Sequence, residues 1–158
     1  MSDRVSLSLA LADERATEAL AARLAGMALK GDVIALAGPL GSGKTTFARA
    51  FIRARYPGVT EVPSPTFTLV EIYGDDGPAV WHFDLFRLER PDEAWELGLE
   101  EAFAAGISLI EWPERLGTLL PRECLVLTLG FGAAPSARQA VLAPPPCWTQ
   151  RVAALAHG

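Results

Sequence analysis

Cysteine is scarce in this sequence, and the patterns that cysteine forms in metal sites and disulfide frameworks are missing. Cys124 and Cys147 are the two cysteines, neither belongs to a CxxC pair, and no cysteine–histidine cluster has the spacing of a zinc site. We therefore expect two free thiols.

Long apolar runs are also missing. No stretch approaches the roughly 18 consecutive apolar residues that a membrane-spanning helix needs. The N-terminus begins Met-Ser-Asp-Arg and lacks the apolar segment of a signal peptide. These absences predict a cytoplasmic protein that does not enter a membrane.

Runs of basic residues are absent as well. The chain carries 14 Lys and Arg against 19 Asp and Glu, a net charge of −5. Because proteins that bind nucleic acid normally present a basic face, tight direct binding to RNA or DNA is not favoured. Arg49, Arg53 and Arg55 lie close together in sequence, and we expect most of them to form a solvated helix face.

The composition is otherwise that of an ordinary globular protein. Half of the 158 residues are hydrophobic and 21% are charged, and there are no internal repeats. A chain of this length predicts one domain over residues 1–158. Residues 144–158 form a tail without a recognisable motif, and 147–156 can form a last short helix.

Residues 38–46, with the sequence GPLGSGKTT, match the phosphate-binding loop pattern. The glycines permit backbone angles closed to other residues, so successive N–H groups can point inward around an anion. Lys44 is expected to reach the β- and γ-phosphates, and the Thr45 hydroxyl to ligate Mg²⁺. The expected nucleotide-binding residues of this loop are Gly41, Ser42, Gly43, Lys44, Thr45 and Thr46.

The flanking sequence supports this interpretation. Residues 31–37 read as a turn followed by a short apolar strand, and residues 45–55 carry apolar side chains at helical spacing. A strand, a glycine-rich turn and a helix are the context that a phosphate-binding loop requires.

Further strands and helices are predicted on both sides of this unit. Residues 68–73 and 79–86 read as a β-hairpin, so the sheet should be mixed rather than wholly parallel. Asp13 is a good N-cap for a helix that follows it. The remaining expected strands are 4–9, 106–110, 124–129 and 137–143, and the remaining short helices are 91–97, 99–104 and 113–120.

Two carboxylates follow apolar strand residues, the position from which a side chain reaches the ligand crevice of an α/β sheet. Asp84 and Glu111 are therefore candidates to hold Mg²⁺ or to orient water. The alternatives are that Asp84 is a surface residue of the hairpin or a partner of Arg87, and that Glu111 caps the next helix.

Three other side chains near these motifs have weaker assignments. His82 is expected to be a structural histidine rather than a catalyst. Trp112 is expected to pack and to shape the pocket beside Glu111. Thr66 lies in a stiff proline-rich segment, where its hydroxyl could sense the γ-phosphate or could simply belong to a connecting loop.

Four blocks taken together resemble the TsaE family, also called YjeE. They are GPLGSGKTT at 38–46, SPTFTLV at 64–70, HFDLFR at 82–87 and IEWPE at 110–114. The last three are more specific than the phosphate loop, which many unrelated proteins share. Phe86 departs from the family pattern, which usually has tyrosine there, so any role of that hydroxyl is in doubt.

The resemblance implies a P-loop NTPase-like, three-layer α/β fold with a mixed, mostly parallel central sheet. It also implies weak ATP hydrolysis, with ATP/ADP and Mg²⁺ as cofactors. TsaB-type and TsaD-type proteins would be the partners, and tRNA would be involved indirectly through their complex.

By the same resemblance, specific residues acquire roles. Thr45 and Glu111 would bind Mg²⁺, and Asp84 would support hydrolysis. Asp13 and Glu114 would lie near the nucleotide, although Asp13 is equally well explained as an N-cap.

Two other functions stay open at this point. A small-molecule kinase shares the phosphate loop, but the sequence has no arginine-rich lid segment, which counts against it. A nucleotide-gated binding module with negligible hydrolysis is poorly separated from an ATPase by sequence. No arginine finger is obvious; Arg87 or a partner could supply one.

Overall fold

The computed structural model describes residues 6–59, 61–63, 68–74 and 77–156. Seven strands form one sheet in the order β1-β7-β6-β2-β5-β4-β3. The strands are β1 Leu7–Leu11, β2 Val33–Ala37, β3 Val70–Tyr73, β4 Val80–Asp84, β5 Ile107–Glu111, β6 Cys124–Phe131 and β7 Arg138–Ala143.

The sheet is mixed, as predicted. Strands β6, β2, β5 and β4 are parallel neighbours in the centre. Strands β7 and β1 on one side, and β3 on the other, add antiparallel pairs. The hairpin expected from residues 68–86 is the β3–β4 pair. Because central parallel strands are covered on both faces, they are almost continuously apolar and buried, as in β2.

The helices follow the predicted segments closely. They are α1 Glu14–Met27, α2 Lys44–Arg55, α3 Leu99–Ala105 and α4 Thr149–Leu155. The segments Pro91–Leu97, Pro113–Leu119 and Pro146–Trp148 are 3₁₀-helices. Gly98, with φ of 89°, separates the first of these from α3. A left-handed residue at that point ends one helix and lets the next begin.

Helices cover both faces of the sheet, which gives the predicted three layers. One core cluster packs α1, α2 and α4 against the face that carries Ile34, Leu36 and Leu127. The other packs α3 and the two longer 3₁₀-helices against the face that carries Ala35 and Phe83. Apolar side chains alternate between the two faces because successive strand residues point in opposite directions.

The arginines of α2 correct one expectation from the sequence. Arg55 donates from Nη1 to the carbonyl oxygens of Ala25 and Ala28, each at 2.9 Å. Arg49 donates from Nε to the carbonyl of Val62 at 2.8 Å, and Arg53 alone of the three is well exposed. Two of the three side chains therefore bond to backbone carbonyls. Those that Arg55 reaches are available because the last carbonyls of α1 lack partners within their own helix.

The C-terminal tail packs against the rest of the protein through α4. Arg151 donates to Asp32 Oδ2 at 2.6 Å and to the carbonyl of Met27 at 3.0 Å. Trp148 is fully buried beneath it, with the guanidinium carbon 3.6 Å from the centroid of its ring. In the part of the chain that the structure describes, no helix has the length and apolar character to cross a bilayer.

Candidate functional site

The loop between β2 and α2 depends on glycine at particular positions. Gly38, Gly41 and Gly43 have φ of 134°, 83° and 104°. A Cβ on Gly38 would lie 2.2 Å from the carbonyl oxygen of Leu129, so a side chain cannot be accommodated there. Gly43 is the N-cap of α2 and provides no side-chain cap, which leaves the first N–H groups of the helix directed at the loop. This is the anion-binding arrangement that the sequence pattern predicts.

Lys44 places its ammonium inside this loop. The residue is only 4% exposed, and Nζ donates to the carbonyl of Gly38. Nζ also lies 3.2 Å from the centroid of the Trp112 ring. Desolvation by burial lowers the pKa of Lys44, while the charges of Glu111, Glu114 and Asp84 raise it. The lysine is therefore a partly dehydrated cation beside the glycine loop, where an anionic group would gain from its charge.

Glu111 stands at the carboxyl end of β5 and receives a donor on each carboxylate oxygen. The Thr45 hydroxyl donates to Oε1 at 3.0 Å, and His82 Nε2 donates to Oε2 at 2.6 Å. Glu111 is 2% exposed and His82 is fully buried. The 3₁₀-helix that follows has Trp112 as its N-cap with no side-chain cap bond, so the alternative in which Glu111 caps it is wrong.

Asp84 lies beside Glu111, one strand away. The two residues are direct partners in the parallel β4–β5 register. Asp84 is 8% exposed, and its Oδ1 accepts from the backbone N–H of Phe86 at 3.2 Å. Burial raises the pKa of Asp84, and this backbone hydrogen bond opposes the shift. The alternative in which Asp84 is a surface residue of the hairpin is therefore wrong.

Trp112 holds a strained backbone conformation between these groups. Its φ of 59° and ψ of 52° lie in the left-handed region, which a bulky residue rarely adopts. The conformation places the indole against Lys44 and 5.0 Å, centroid to centroid, from the ring of Phe86. Strain of this kind clusters at functional sites. Phe86 thus retains aromatic packing at the position where the family usually has tyrosine.

These residues border a cleft of about 720 Å³. Most of the predicted site residues line it: Gly41, Gly43, Lys44, Thr45, Thr46, Asp84, Glu111 and Trp112. Three elements converge there, because the carboxyl ends of β4 and β5 meet the start of α2 at one edge of the sheet.

Four predicted nucleotide-binding residues are not among the lining residues. Ser42 is buried within the loop. Asp13 caps α1 by accepting from the Ala16 N–H at 2.9 Å, next to the lining residue Glu14. Glu114 is exposed, and its negative charge acts to raise the pKa of Lys44. Thr66 lies outside the described residues. Their contacts with a nucleotide stay predictions.

Arg138, at the start of β7, is a residue of the site that sequence reasoning missed. Its Nε donates to the carbonyl of Ser42 and its Nη2 to that of Gly41, both at 3.2 Å. Its guanidinium carbon is also 5.2 Å from the centroid of the Phe131 ring. No local motif marks this arginine, because only the β6–β7 pairing carries it back to the loop. Other lining residues that were missed are Glu14, Thr17, Leu40, Pro135 and Ser136.

The oxygen atoms at this site are suitable ligands for a magnesium ion. Thr45 Oγ1 and Glu111 Oε1 lie 3.0 Å apart, and the Asp84 carboxylate is on the adjacent strand. Mg²⁺ prefers hard oxygen ligands and is usually held by one or two protein groups together with water and substrate phosphates. Thr45 and Glu111 are the residues that would hold it.

Known proteins resemble this chain in both sequence and fold. The profile of the family described as Threonylcarbamoyl adenosine biosynthesis protein TsaE matches residues 11–139. The tRNA threonylcarbamoyladenosine biosynthesis protein TsaE of Rickettsia felis is 41% identical over 121 residues, 77% of this chain and 71% of the relative. The protein of the same name from Bacillus subtilis is 42% identical over 115 residues, covering 72% and 70%.

A solved structure extends the similarity to almost the whole chain. The crystal structure of Bacillus subtilis YdiB matches with a TM-score of 0.81 and 28% sequence identity. The match covers 99% of this chain and 98% of that one. The fold predicted from the sequence is thereby confirmed.

Proposed function

The chain belongs to the TsaE family of tRNA threonylcarbamoyladenosine biosynthesis proteins, and on that basis we propose that it is a magnesium-dependent ATPase. ATP would bind in the cleft, and ADP would be a product of its hydrolysis. We propose that residues 1–158 act as a single nucleotide-binding domain and that the protein works in the cytoplasm.

One observation carries the ATPase proposal. The Thr45 hydroxyl and the Glu111 carboxylate meet at 3.0 Å beside the glycine loop, with Lys44 in the same cleft. A hydroxyl after the loop lysine and a strand-end carboxylate are the two groups with which P-loop NTPases hold Mg²⁺.

The residues of the site would divide the chemistry of phosphoryl transfer among them. The loop N–H groups and Lys44 would stabilise negative charge on the transferred phosphoryl group. Bound Mg²⁺ would neutralise charge on the phosphate oxygens. Both oxygens of Glu111 accept hydrogen bonds from side chains, whereas Asp84 accepts a backbone hydrogen bond from Phe86 at Oδ1. We therefore assign the orientation of the attacking water to Asp84.

Partner proteins would complete the function. We propose that the chain acts on a complex of TsaB-type and TsaD-type proteins, and that its ATP cycle serves the modification of the adenosine next to the tRNA anticodon. Contact with tRNA would be indirect. An arginine supplied by a partner, or Arg87 of this chain, could raise the rate by about 10³–10⁵. Slow hydrolysis by the isolated chain would follow.

Labelled ATP tests this proposal against its alternatives. The purified chain is incubated with [γ-³²P]ATP and Mg²⁺, with and without the TsaB-type and TsaD-type proteins of the same organism. We expect phosphate released to water, slowly from the chain alone and faster in the mixture. Label on a small metabolite would instead identify a kinase. Nucleotide binding without turnover in any mixture would identify a nucleotide-gated module.

A further inference from the structure

The Glu111 carboxylate is shared between two donors from different elements. Oε1 accepts from Thr45, at the start of α2, and Oε2 accepts from His82, in the middle of β4. The second contact is the shorter, at 2.6 Å, and both of its residues are almost completely excluded from solvent. The orientation of this carboxylate is therefore set by the protein before any ion arrives.

The register of the sheet explains how His82 reaches Glu111. His82 pairs with Leu109, and Asp84 pairs with Glu111, in the parallel β4–β5 ladder. His82 and Glu111 are thus diagonal neighbours on the same face of the sheet, a separation that long side chains span. Among the described residues, His82 Nδ1 has no hydrogen-bond partner. The polar contact that this buried ring makes is the one to Glu111.

A histidine donor on one carboxylate oxygen restricts how that carboxylate binds a cation. Ca²⁺ takes six to eight oxygen ligands at about 2.3–2.6 Å and commonly uses both oxygens of one carboxylate. Mg²⁺ demands a near-octahedral shell at about 2.0–2.1 Å and uses few protein oxygens. Because Oε2 already accepts a short hydrogen bond, only Oε1 is directed toward Thr45 and the cleft.

We propose that His82 is a positioning residue that limits Glu111 to one metal-facing oxygen and thereby makes the site selective for Mg²⁺ over Ca²⁺. The inference rests on the proposed nucleotide-binding function, and it concerns the choice of ion. It differs from the expectation, drawn from the sequence, that this histidine is only structural.

Two amide variants provide a matched test. In His82→Gln the amide nitrogen can occupy the place of Nε2 and still donate to Glu111. In His82→Asn the shorter side chain places its nitrogen near Nδ1, out of reach of the carboxylate. Calorimetry would measure the affinity of each variant for a non-hydrolysable ATP analogue in Mg²⁺, in Ca²⁺ and in EDTA.

The parent and the Gln variant should gain more affinity from Mg²⁺ than from Ca²⁺. In the Asn variant the gain from Mg²⁺ should fall by about tenfold or more, the usual effect of losing a group that orients a metal ligand. The gain from Ca²⁺ should hold or rise, and affinity in EDTA should not change. A role confined to folding would lower all three affinities together.

Several results would overturn the inference. One is an equal gain from the two ions in the parent protein, a measurement that needs no variant and so does not depend on folding. Another is an unchanged Mg²⁺ preference in a folded Asn variant, or a Gln variant that behaves like Asn. A parent that binds no nucleotide under any condition would overturn the proposed function itself, and this result is distinct from an equal response to the two ions.

Discussion

Lys44 is the residue on which the proposed nucleotide binding would depend most directly. Its ammonium lies between the Gly38 carbonyl and the Trp112 indole, at a site where burial has removed much of its hydration. We expect Lys44→Ala to lower nucleotide-dependent activity by about 10²-fold or more, because a preorganised charge in a desolvated site is lost. Steady-state phosphate release measures this.

A matched control is available in the same sequence. Lys30 is the other lysine of the chain and is exposed, so Lys30→Ala should have the activity of the parent. Near-normal turnover in Lys44→Ala would reject the assignment of the loop.

The proposed role of Asp84 allows ATP binding and ATP hydrolysis to be tested separately. Asp84→Asn keeps the size of the side chain but removes the carboxylate that would orient water. We expect ATP affinity within a few-fold of the parent and hydrolysis reduced by about 10²-fold or more, the lower range for loss of a general base. Asp92→Asn is the control, because the Asp92 side chain is exposed to solvent. Hydrolysis at the parent rate would leave Glu111 as the candidate.

The raised pKa of Asp84 also has a consequence for stability. Burial makes the folded state hold the Asp84 proton more tightly than the unfolded state, where the ordinary value is 3.8. The stabilising contribution of this group is therefore complete below that value and is lost as the pH rises through the raised pKa. His82, Glu111 and Lys44 are the charged or titratable neighbours that modulate it.

Above the raised pKa, where Asp84 is ionised, the residue should therefore cost stability. We expect the free energy of unfolding of Asp84→Asn at pH 7 to exceed that of the parent by on the order of 1 kcal/mol, within the range that single stabilising substitutions commonly give. The difference should shrink at the lowest pH at which both proteins stay folded. Urea unfolding at the two pH values measures it, and a less stable Asn variant at pH 7 would contradict the argument.

At the scale of elements, helix α1 shows how one residue can have two explanations. Asp13 has extended backbone angles and accepts from the Ala16 N–H, so it is the N-cap that the sequence predicts. The same residue is a predicted nucleotide contact, and it lies next to Glu14, which lines the cleft.

Two substitutions separate these roles. Asp13→Ala should lower the free energy of unfolding by about 1 kcal/mol, whereas Asp13→Ser should retain most of it because serine is also a good cap. Chemical denaturation measures this. Any loss of ATP affinity in the folded Ser variant would report a nucleotide contact through the carboxylate, and equal stability of the Ala variant and the parent would reject the cap.

The strands and helices could be predicted from the sequence because each has its own hydrophobic periodicity and is bounded by glycine or proline. Gly98 and the prolines at 91 and 113 predicted short helical segments, and the structure has them as 3₁₀-helices over 91–97 and 113–119. The bonds from Arg55 and Arg151 to the end of α1 could not be predicted, since they join residues 27 to 124 positions apart.

For the whole molecule, charge limits the partners that the chain can bind directly. The net charge is −5 and the basic residues are spread along the sequence, several of them bonded to backbone carbonyls. Affinity for nucleic acid comes largely from basic side chains that neutralise phosphates.

The isolated chain should therefore bind tRNA poorly. At about 0.15 M salt we expect a dissociation constant weaker than about 10⁻⁵ M, within the range of non-specific binding. Filter binding with labelled tRNA measures it, with the TsaB-type and TsaD-type proteins as a positive control. Micromolar binding by the chain alone would contradict the indirect role.

The sequence by itself determined the phosphate-binding loop, its flanking strand and helix, and the two strand-end carboxylates. These features are local: the loop conformation needs glycines at particular positions, and a carboxylate after an apolar strand must lie at the end of that strand. The family resemblance could be identified for the same reason, since each of its four blocks is a short, continuous stretch of sequence.

Only the tertiary structure decided which of these groups meet. The strand order places β5 between β2 and β4, so that Asp84 and Glu111 become direct partners and His82 reaches Glu111 from the neighbouring strand. Arg138 joins the loop because β7 folds back along β6. Strand order and register arise from packing of the whole sheet, and no stretch of sequence encodes such contacts locally.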